Sequence, residues 1–598
     1  MNSNPWQKYH ESSRRIEDLP DKSQIVRDYY SWLFDDPEIE LTKDIDLALA
    51  FSHRDQFIYH PQVLDDLFHT RCLQRLGRIT QLSTIFQQFP GACHTRLEHS
   101  IATFNKKQEE HIYLWMNNPV FVKYVEDNDL KRFLAAEEIK MLYHDNGHFA
   151  FSHVTEHQII KQKGVHERIG KDTLLTDPDV SSILKNLDLY DAVSQVLETD
   201  ILNSLEHDDG NIDTDRRAFV ETDIAHLEGF EEPIPIRYPS YSRKIAKINP
   251  DGSYMKSDSG SIILTDSLGP DSKYIDTFAF SDISSVESFL STRESLYQKY
   301  YYHPSTLARD TLHGLIQSKI ALTEPEHCPI LSKYINLLQS GNFSEAQQYD
   351  EVDIFKDLIN LALHSQNRDI IDMVSLLFVP FENWLNLMQS LLDTKRDADF
   401  IKFVNSELIH GESQFAKNIR TPNFFDKNVI TISGDNVKAL KNQNKDGLIY
   451  NFHFLRAYKT SQPIYVEDCD GNVFPLEAHP NRTRDWANST STTDIVICIL
   501  PLLRYKGLPH KTVQQYEQQC RSLCTTNQSS TSPLLRESCS EHERIAATIH
   551  ENCPELQLPE SPGFVREYFS TQERWSYPLI LFNPQIFQYK YIGVFGDF

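Results

Sequence analysis

The chain has 598 residues and a mass of 69.5 kDa, more than one hydrophobic core can absorb, so about two to four structural units are expected. A formal net charge of −26 argues against a general nucleic-acid or anionic-membrane surface, because both need clustered Lys and Arg; any affinity for phosphate must be local. No run approaches the roughly 20 apolar residues that span a bilayer, and Met1 to Glu11 lacks the apolar stretch of a signal peptide, so a cytoplasmic protein is expected.

Nine cysteines, an odd number without paired metal-type spacing, predict free thiols in a reducing compartment. Cys498 reads as buried in a strand, whereas Cys520, Cys524 and Cys539 flank a polar stretch and read as exposed. Glycine is sparse, 20 in all. Neither a dinucleotide fingerprint nor a Walker A loop is present, which removes the commonest ways of cradling a nucleotide phosphate.

In chain order, residues 1–60 mix polar and aromatic segments and form an extension with no function assigned. Residues 61–320 carry the strongest helical patterning. His94 to Ser100 opens a helix whose apolar positions Leu97, Ile101 and Phe104 follow i, i+4, i+7, with His99 off that stripe. Arg132 to Tyr143 reads as a second helix, with Leu134, Ile139 and Leu142 on one side and Glu137, Glu138 and Lys140 off it. Ile212 to Asp223 reads as a turn followed by a helix, with Asp213 or Thr214 as N-cap and Asp215, Phe219 and Asp223 on one face.

Between 228 and 281, turn signals such as Asn249-Pro250-Asp251-Gly252 predict a β-hairpin excursion. Arg293, Tyr297 and Tyr301 then fall at i, i+4, i+8. They either present a clamp and an aromatic wall or form an ordinary core stripe. Residues 321–447 return to helical patterns and read as scaffold. From 448 to 598 the pattern is mixed α/β, with strands within Pro463 to Phe474 and Asp494 to Leu500 and a loose segment at about 525–541. The expected class is mainly α, with a β excursion and a smaller mixed appendage.

The chemistry concentrates in Tyr143-His144-Asp145-Asn146-Gly147-His148-Phe149-Ala150-Phe151-Ser152-His153. Adjacent helical side chains diverge by about 100°, so His144 and Asp145 can share an ion only at the helix end, with further ligands from elsewhere. His99 and Asp215 are the candidates. Imidazole nitrogens with carboxylate oxygens suit a borderline or hard divalent ion and leave positions for water and phosphate oxygens.

The ordered set His99, His144-Asp145, Asp215 resembles the H…HD…D pattern of the HD phosphohydrolases. The flanking residues look like the deoxynucleoside triphosphate triphosphohydrolase branch and are similar to the SAM-and-HD-domain proteins. The likeness runs from about Leu67 to His303. It includes Gln74-Arg75-Leu76, Gln81-Leu82, Pro90-Gly91-Ala92, His94 to Ser100, the 144–153 block, Val165-His166-Glu167, Ile212 to Asp223, and Arg293 to Leu296 with Tyr301 and His303.

The resemblance implies an HD helical core and four metal ligands, His99, His144, Asp145 and Asp215, with Mg or Mn as the ion and Fe, Co or Zn as alternatives. His148, His153, Glu156 and His166 would surround the triphosphate and move protons; alternatively, some of these imidazoles only orient ligands. Arg96, Arg216 and Arg293 would hold phosphates. Gln81, Leu82, Phe219, Asp223 and Tyr301 would enclose sugar and base. Arg216 replaces a common lysine, keeping the charge with a different reach and geometry, whereas Phe219 replaces a common tyrosine and Tyr302 an amide side chain, two departures that bear on base and sugar specificity.

The implied reaction is hydrolysis of a deoxynucleoside triphosphate, the implied partner, to deoxynucleoside and tripolyphosphate by attack at the α-phosphorus. Homo-oligomers, a nucleotide effector and antiviral depletion of DNA precursors are further family properties. Two alternatives stand beside this: an HD-type phosphomonoesterase or cyclic-nucleotide phosphodiesterase, and a nucleotide-sensing protein with a residual HD site.

Overall fold

The computed structural model describes residues 22–44, 58–162, 164–198, 212–228, 241–242, 245–265, 269–274, 279–280, 283–393, 395–433, 464–486, 495–527, 579–581 and 590–592. Helices dominate, and the helical segments share one hydrophobic core extending from Ile25 to Cys520. The helices that matter for the site are α1 (Arg96–Asn117), α2 (Lys131–Tyr143), α3 (Ser152–Thr155), α4 (Val165–Thr176), α5 (Thr214–Glu228), α6 (Ile283–Leu296), α7 (Pro304–Leu315) and α8 (Glu351–His364).

α1 begins at Arg96, two residues past the His94 at which the sequence pattern opens it: Thr95 is extended and its hydroxyl accepts from the Glu98 amide at 3.4 Å, satisfying one of the orphan donors of the first turn. α1 packs against both α2 and α5. Enclosure on several sides overrides the single apolar stripe read from periodicity. His99, placed off that stripe, is buried, and so are Glu137 and Glu138 of α2. The carboxylates stay inside because partners reach them. His111 lies 3.2 Å from Glu137 and 3.0 Å from Glu138, and the Tyr29 and Tyr30 hydroxyls each donate to Glu138 at 2.8 Å.

Near the N-terminal end β1 (Leu41–Asp44) pairs antiparallel with β2 (Ile58–Pro61), and the interval 228–281 is β-structured where described. Strands β4 (Ile245–Lys247), β5 (Leu264–Thr265) and β6 (Ser272–Tyr274) form one sheet in the order 5-4-6, while β3 (Tyr241–Ser242) and β7 (Ala279–Phe280) join another. The expected turn is present, the Gly252 amide donating to the Asn249 carbonyl at 2.9 Å with Gly252 in the left-handed region. β7 pairs in parallel with β9 (Tyr465–Glu467), which forms a hairpin with β10 (Val473–Pro475). The two β regions thus share the four-stranded sheet 10-9-7-3, and Ala246, Ile262, Tyr465 and Val473 form a small core between it and the 5-4-6 sheet. Further on, β8 (Val429–Ser433) pairs antiparallel with β11 (Ile495–Ile499).

Cys520 is buried, contrary to the exposed position read from its polar neighbours: it lies on a helix, His510–Asn527, that packs against β8. Cys498 is buried in β11, as expected. Among the described residues, Cys72, Cys93, Cys328, Cys469, Cys498 and Cys520 are free thiols. The Cys539 position, most of the N-terminal extension and most of the loose segment near 525–541 lie outside the described residues. Among those residues no single helix is long and apolar enough to cross a membrane.

The helices beyond 320 pack around Trp384, which is fully buried with Phe355, Phe378 and Phe381 at ring distances of 6.0, 5.0 and 5.7 Å. Trp384→Ala is expected to destabilise the protein by about 3–5 kcal/mol through lost burial and the cavity left behind. Urea unfolding followed by circular dichroism measures this; a loss under about 1 kcal/mol would show that this region does not hold the core together.

Candidate active site

His99, one turn into α1, points Nε2 at three groups: Asp215 Oδ1 at 2.9 Å, His144 Nε2 at 3.2 Å and Asp145 Oδ2 at 3.6 Å. His144 Nε2 lies 3.4 Å from both Asp145 Oδ1 and Asp215 Oδ1. Sequence positions 99, 144, 145 and 215 thus meet at one point. α2 ends at Tyr143 and the chain tightens into a short 3₁₀ turn, His144–Gly147, which lets adjacent residues reach the same point.

Gly147 is required there, because a Cβ at this position would overlap the His166 backbone carbonyl of α4. Arg75 fastens the turn from outside by donating to the Asn146 and His148 carbonyls at 2.9 and 2.8 Å.

The donor set fits a divalent ion. His144 Nδ1 lies 2.7 Å from the Met141 carbonyl, an acceptor only, so Nδ1 carries hydrogen and Nε2 faces the cluster, as a metal-ligating imidazole requires. Burial works to lower the His144 pKa, but the Asp145 and Asp215 carboxylates outweigh it and bring it up to about 9. Asp145 resists the upward push of its own burial because Arg96 and His144 hold it well below the usual carboxylate range. Asp215 is likewise held down, against burial, by His144 and His99. Both carboxylates are thus stabilised by neighbouring positive charge, the part that a divalent cation between them would take.

A second group adjoins the first. His148 Nε2 is 3.3 Å from Asp145 Oδ1, and its ring stacks on His166 at 4.0 Å. Glu156 serves as the common anchor. Its Oε2 lies 2.8 Å from His166 Nδ1 and 3.4 Å from His153 Nδ1, while its Oε1 accepts from the Val165 amide at 2.7 Å. Burial would raise the Glu156 pKa, but His153 and His166 bring it below the normal range. Burial also drives His148 strongly toward neutrality, reinforced by Arg96 and opposed by Asp145. His153 is half exposed at the mouth of the group.

The candidate phosphate arginines sit differently from one another. Arg96 is buried, donating from Nη1 to Asp145 Oδ2 at 2.5 Å and from Nε to Ser152 Oγ at 3.0 Å. Arg216 pairs with Asp213, which also accepts the Arg216 amide at 2.6 Å; Asp213 is therefore the residue that caps α5. Arg293 is buried and stands over the Tyr297 ring at 5.7 Å.

The run Arg293, Tyr297, Tyr301 shares a face although the helix widens into a π turn at Tyr297–Tyr301, with the two tyrosine rings 4.9 Å apart. Tyr301 donates its hydroxyl to Asp223. Gln81 is buried, its carbonyl accepting from Arg96 at 3.3 Å, while Leu82 and Phe219 are partly buried against the core.

Three contributors were not assigned roles from sequence. His94 lies 2.8 Å from Asp223 and stacks on His226 at 4.1 Å; its place in the run before His99 was the only signal. Ser152 bridges Arg96 and the Thr80 carbonyl, 3.1 Å away. The third is Glu351, far along the chain, which nothing in the motif indicates.

Phe151 and Ser152 are consecutive non-glycine residues in the left-handed region, φ 61° and 48°, each costing of order 1–3 kcal/mol.

No family model matches the chain. It is 26% identical over 254 residues to the uncharacterized protein YwfO of Bacillus subtilis, covering 41% of this chain and 49% of that protein. Over 129 residues it is 31% identical to a protein of Acanthamoeba polyphaga mimivirus described as HD domain-containing, covering 21% and 25% of the two chains. An uncharacterized protein of Methanocaldococcus jannaschii is 21% identical over 408 residues, 65% of this chain and 72% of the other. The matches thus span about half of YwfO and a quarter of the mimiviral protein. Among solved structures, a phosphohydrolase from Bacteroides thetaiotaomicron is similar with a TM-score of 0.46 at 18% identity, covering 77% of this chain and all of that one.

Burial raises the Asp223 pKa to about 7, with Tyr301, His99 and nearby cations pulling the other way. A carboxyl whose folded pKa lies above its unfolded value stabilises the fold fully below the unfolded value and loses that contribution as pH rises through the folded one. Between about pH 4 and 7 wild-type stability should therefore fall relative to Asp223→Asn. Thermal melts of both proteins at pH 5 and pH 8 test this; a constant difference between the two would rule out a shifted Asp223.

Proposed function

We propose that the chain is an HD-type, metal-dependent phosphohydrolase, and that its substrates are deoxynucleoside triphosphates, cleaved to deoxynucleoside and tripolyphosphate. The observation that carries the reading is the convergence of His99, His144, Asp145 and Asp215 within 3.6 Å contacts about His99 and His144, beside a second group of imidazoles that shares Asp145. The mimiviral relative described as HD domain-containing supports the superfamily assignment.

A divalent ion held by the four ligands would supply Lewis-acid stabilisation of charge on a phosphoryl oxygen and would acidify water. Around it, Arg96 can stabilise negative charge developing beside Asp145. The Glu156 carboxylate orients His153 and His166, fixing which ring nitrogens face outward for proton exchange. The Asp223–Tyr301 pair offers a hydrogen-bonding wall of the kind that recognises a sugar hydroxyl, and Tyr297 an aromatic face for stacking.

The pairing of Arg216 with Asp213 favours, as a second reading, a phosphomonoesterase, which needs fewer cations along a phosphate tail.

Incubation with each of the four deoxynucleoside triphosphates, singly and mixed, with Mg, Mn, Co or Fe, separates the readings by product. Tripolyphosphate supports the first, and orthophosphate from a nucleoside monophosphate the second. Activity confined to mixtures would expose a nucleotide effector. Asp145→Ala is expected to lower turnover by at least about 100-fold, since losing even an outer partner of a metal ligand costs 10–100-fold. Full hydrolysis by that variant would overturn the assignment.

A further inference from the structure

We propose that Glu351, on α8 and outside the motif-bearing region, is a positioning residue for the metal site, acting through the Phe151–Ser152 turn and Arg96 on Asp145. The inference rests on the metal-site reading above and extends it to a part of the chain read only as scaffold.

Glu351 is fully buried. Its Oε1 accepts three hydrogen bonds: from the Phe151 amide at 2.9 Å, the Thr80 amide at 3.1 Å and the Thr80 hydroxyl at 2.9 Å. Its Oε2 has no partner among the described residues. One oxygen thus joins two segments, the Thr80 strand-like bend and the left-handed turn at Phe151–Ser152.

Ser152 continues the chain of contacts. Its hydroxyl donates to the Thr80 carbonyl at 3.1 Å and accepts from Arg96 Nε at 3.0 Å, while Arg96 Nη1 donates to Asp145 Oδ2 at 2.5 Å. The Arg96 backbone amide donates to the Ile79 carbonyl at 2.8 Å, so both the main chain and the side chain of Arg96 are set by the segments that Glu351 staples. With Oδ2 occupied, Asp145 is left turning Oδ1 toward His144 and His148. Partners of this kind fix the rotamer of a metal-ligating carboxylate. A residue almost two hundred positions from Ser152 thereby sets the angle of a ligand.

Glutamine keeps the one oxygen in use, so the amide should replace the carboxyl, whereas alanine leaves the Phe151 and Thr80 donors buried and unpaired.

The test is Mn²⁺ binding to the full chain by electron paramagnetic resonance titration, with thermal melts alongside. Asp145→Asn serves as the control for the site. Glu351→Ala is expected to weaken Mn²⁺ binding about 10–100-fold, and Glu351→Gln to stay within about threefold of wild type. A purely structural role would lower the melting temperature of Glu351→Ala without changing the Mn²⁺ affinity of the folded protein, and that result overturns the proposal. So does a Gln variant as weak as the Ala variant. If Glu351→Ala does not fold, Ser152→Ala takes its place: weakened binding supports the pathway through Arg96, and unchanged binding overturns it. Wild-type protein whose Mn²⁺ binding is absent, or indifferent to Asp145→Asn, would instead sink the metal-site reading and this inference with it.

Discussion

Asp145, on the turn that follows α2, and Asp215, on α5, both meet His99 and His144, and the site depends on the negative charge of these carboxylates being compensated. Without a cation the compensation comes from within: His144, held up at about 9, and Arg96, hydrogen-bonded to Asp145 Oδ2. A buried carboxylate such as Asp145 costs several kcal/mol unless it is neutralised. The site is consequently a place where positive charge is favoured, which is what a cation-binding centre requires.

Holding that arrangement takes more of the chain than the motif. α1 carries His99 and, further along, His111, which joins Glu137 and Glu138 to the Tyr29 and Tyr30 hydroxyls. Beyond 320, Asp350 and Asp397 grip Arg78 at 2.5 and 2.9 Å, and Glu351 grips Thr80 next door. The helices past the motif region therefore clamp the loop that precedes α1, and Glu351 also accepts the Phe151 amide of the left-handed turn at Phe151–Ser152, a conformation that persists only where its surroundings hold it.

The wall formed by Asp223, Tyr301 and His94 has a different character. Asp223 is buried between the His94 ring and the Tyr301 hydroxyl, and burial lifts its pKa to about 7. Such a group can change between donor and acceptor near neutrality at modest energetic cost, which suits recognition of a hydroxyl that is itself both.

By itself the sequence determined the helical class and the end of α2 at Tyr143, because these depend on local spacing, and it offered His99, His144, Asp145 and Asp215 as candidates through their donor chemistry and their likeness to the H…HD…D pattern. It could not decide which polar residues are interior. Periodicity assumes one buried face, and α1 and α2 are covered on several, so His99, Glu137 and Glu138 lie inside. Nor could it decide where each cation points: Arg96 on Asp145 and Arg216 on Asp213 follow from which carboxylate packing brings within reach. The link from Glu351 to Phe151, and the parallel pairing of β7 with β9, join segments almost two hundred residues apart. Those contacts exist only once the chain has closed on itself, since no local pattern encodes a partner at that distance.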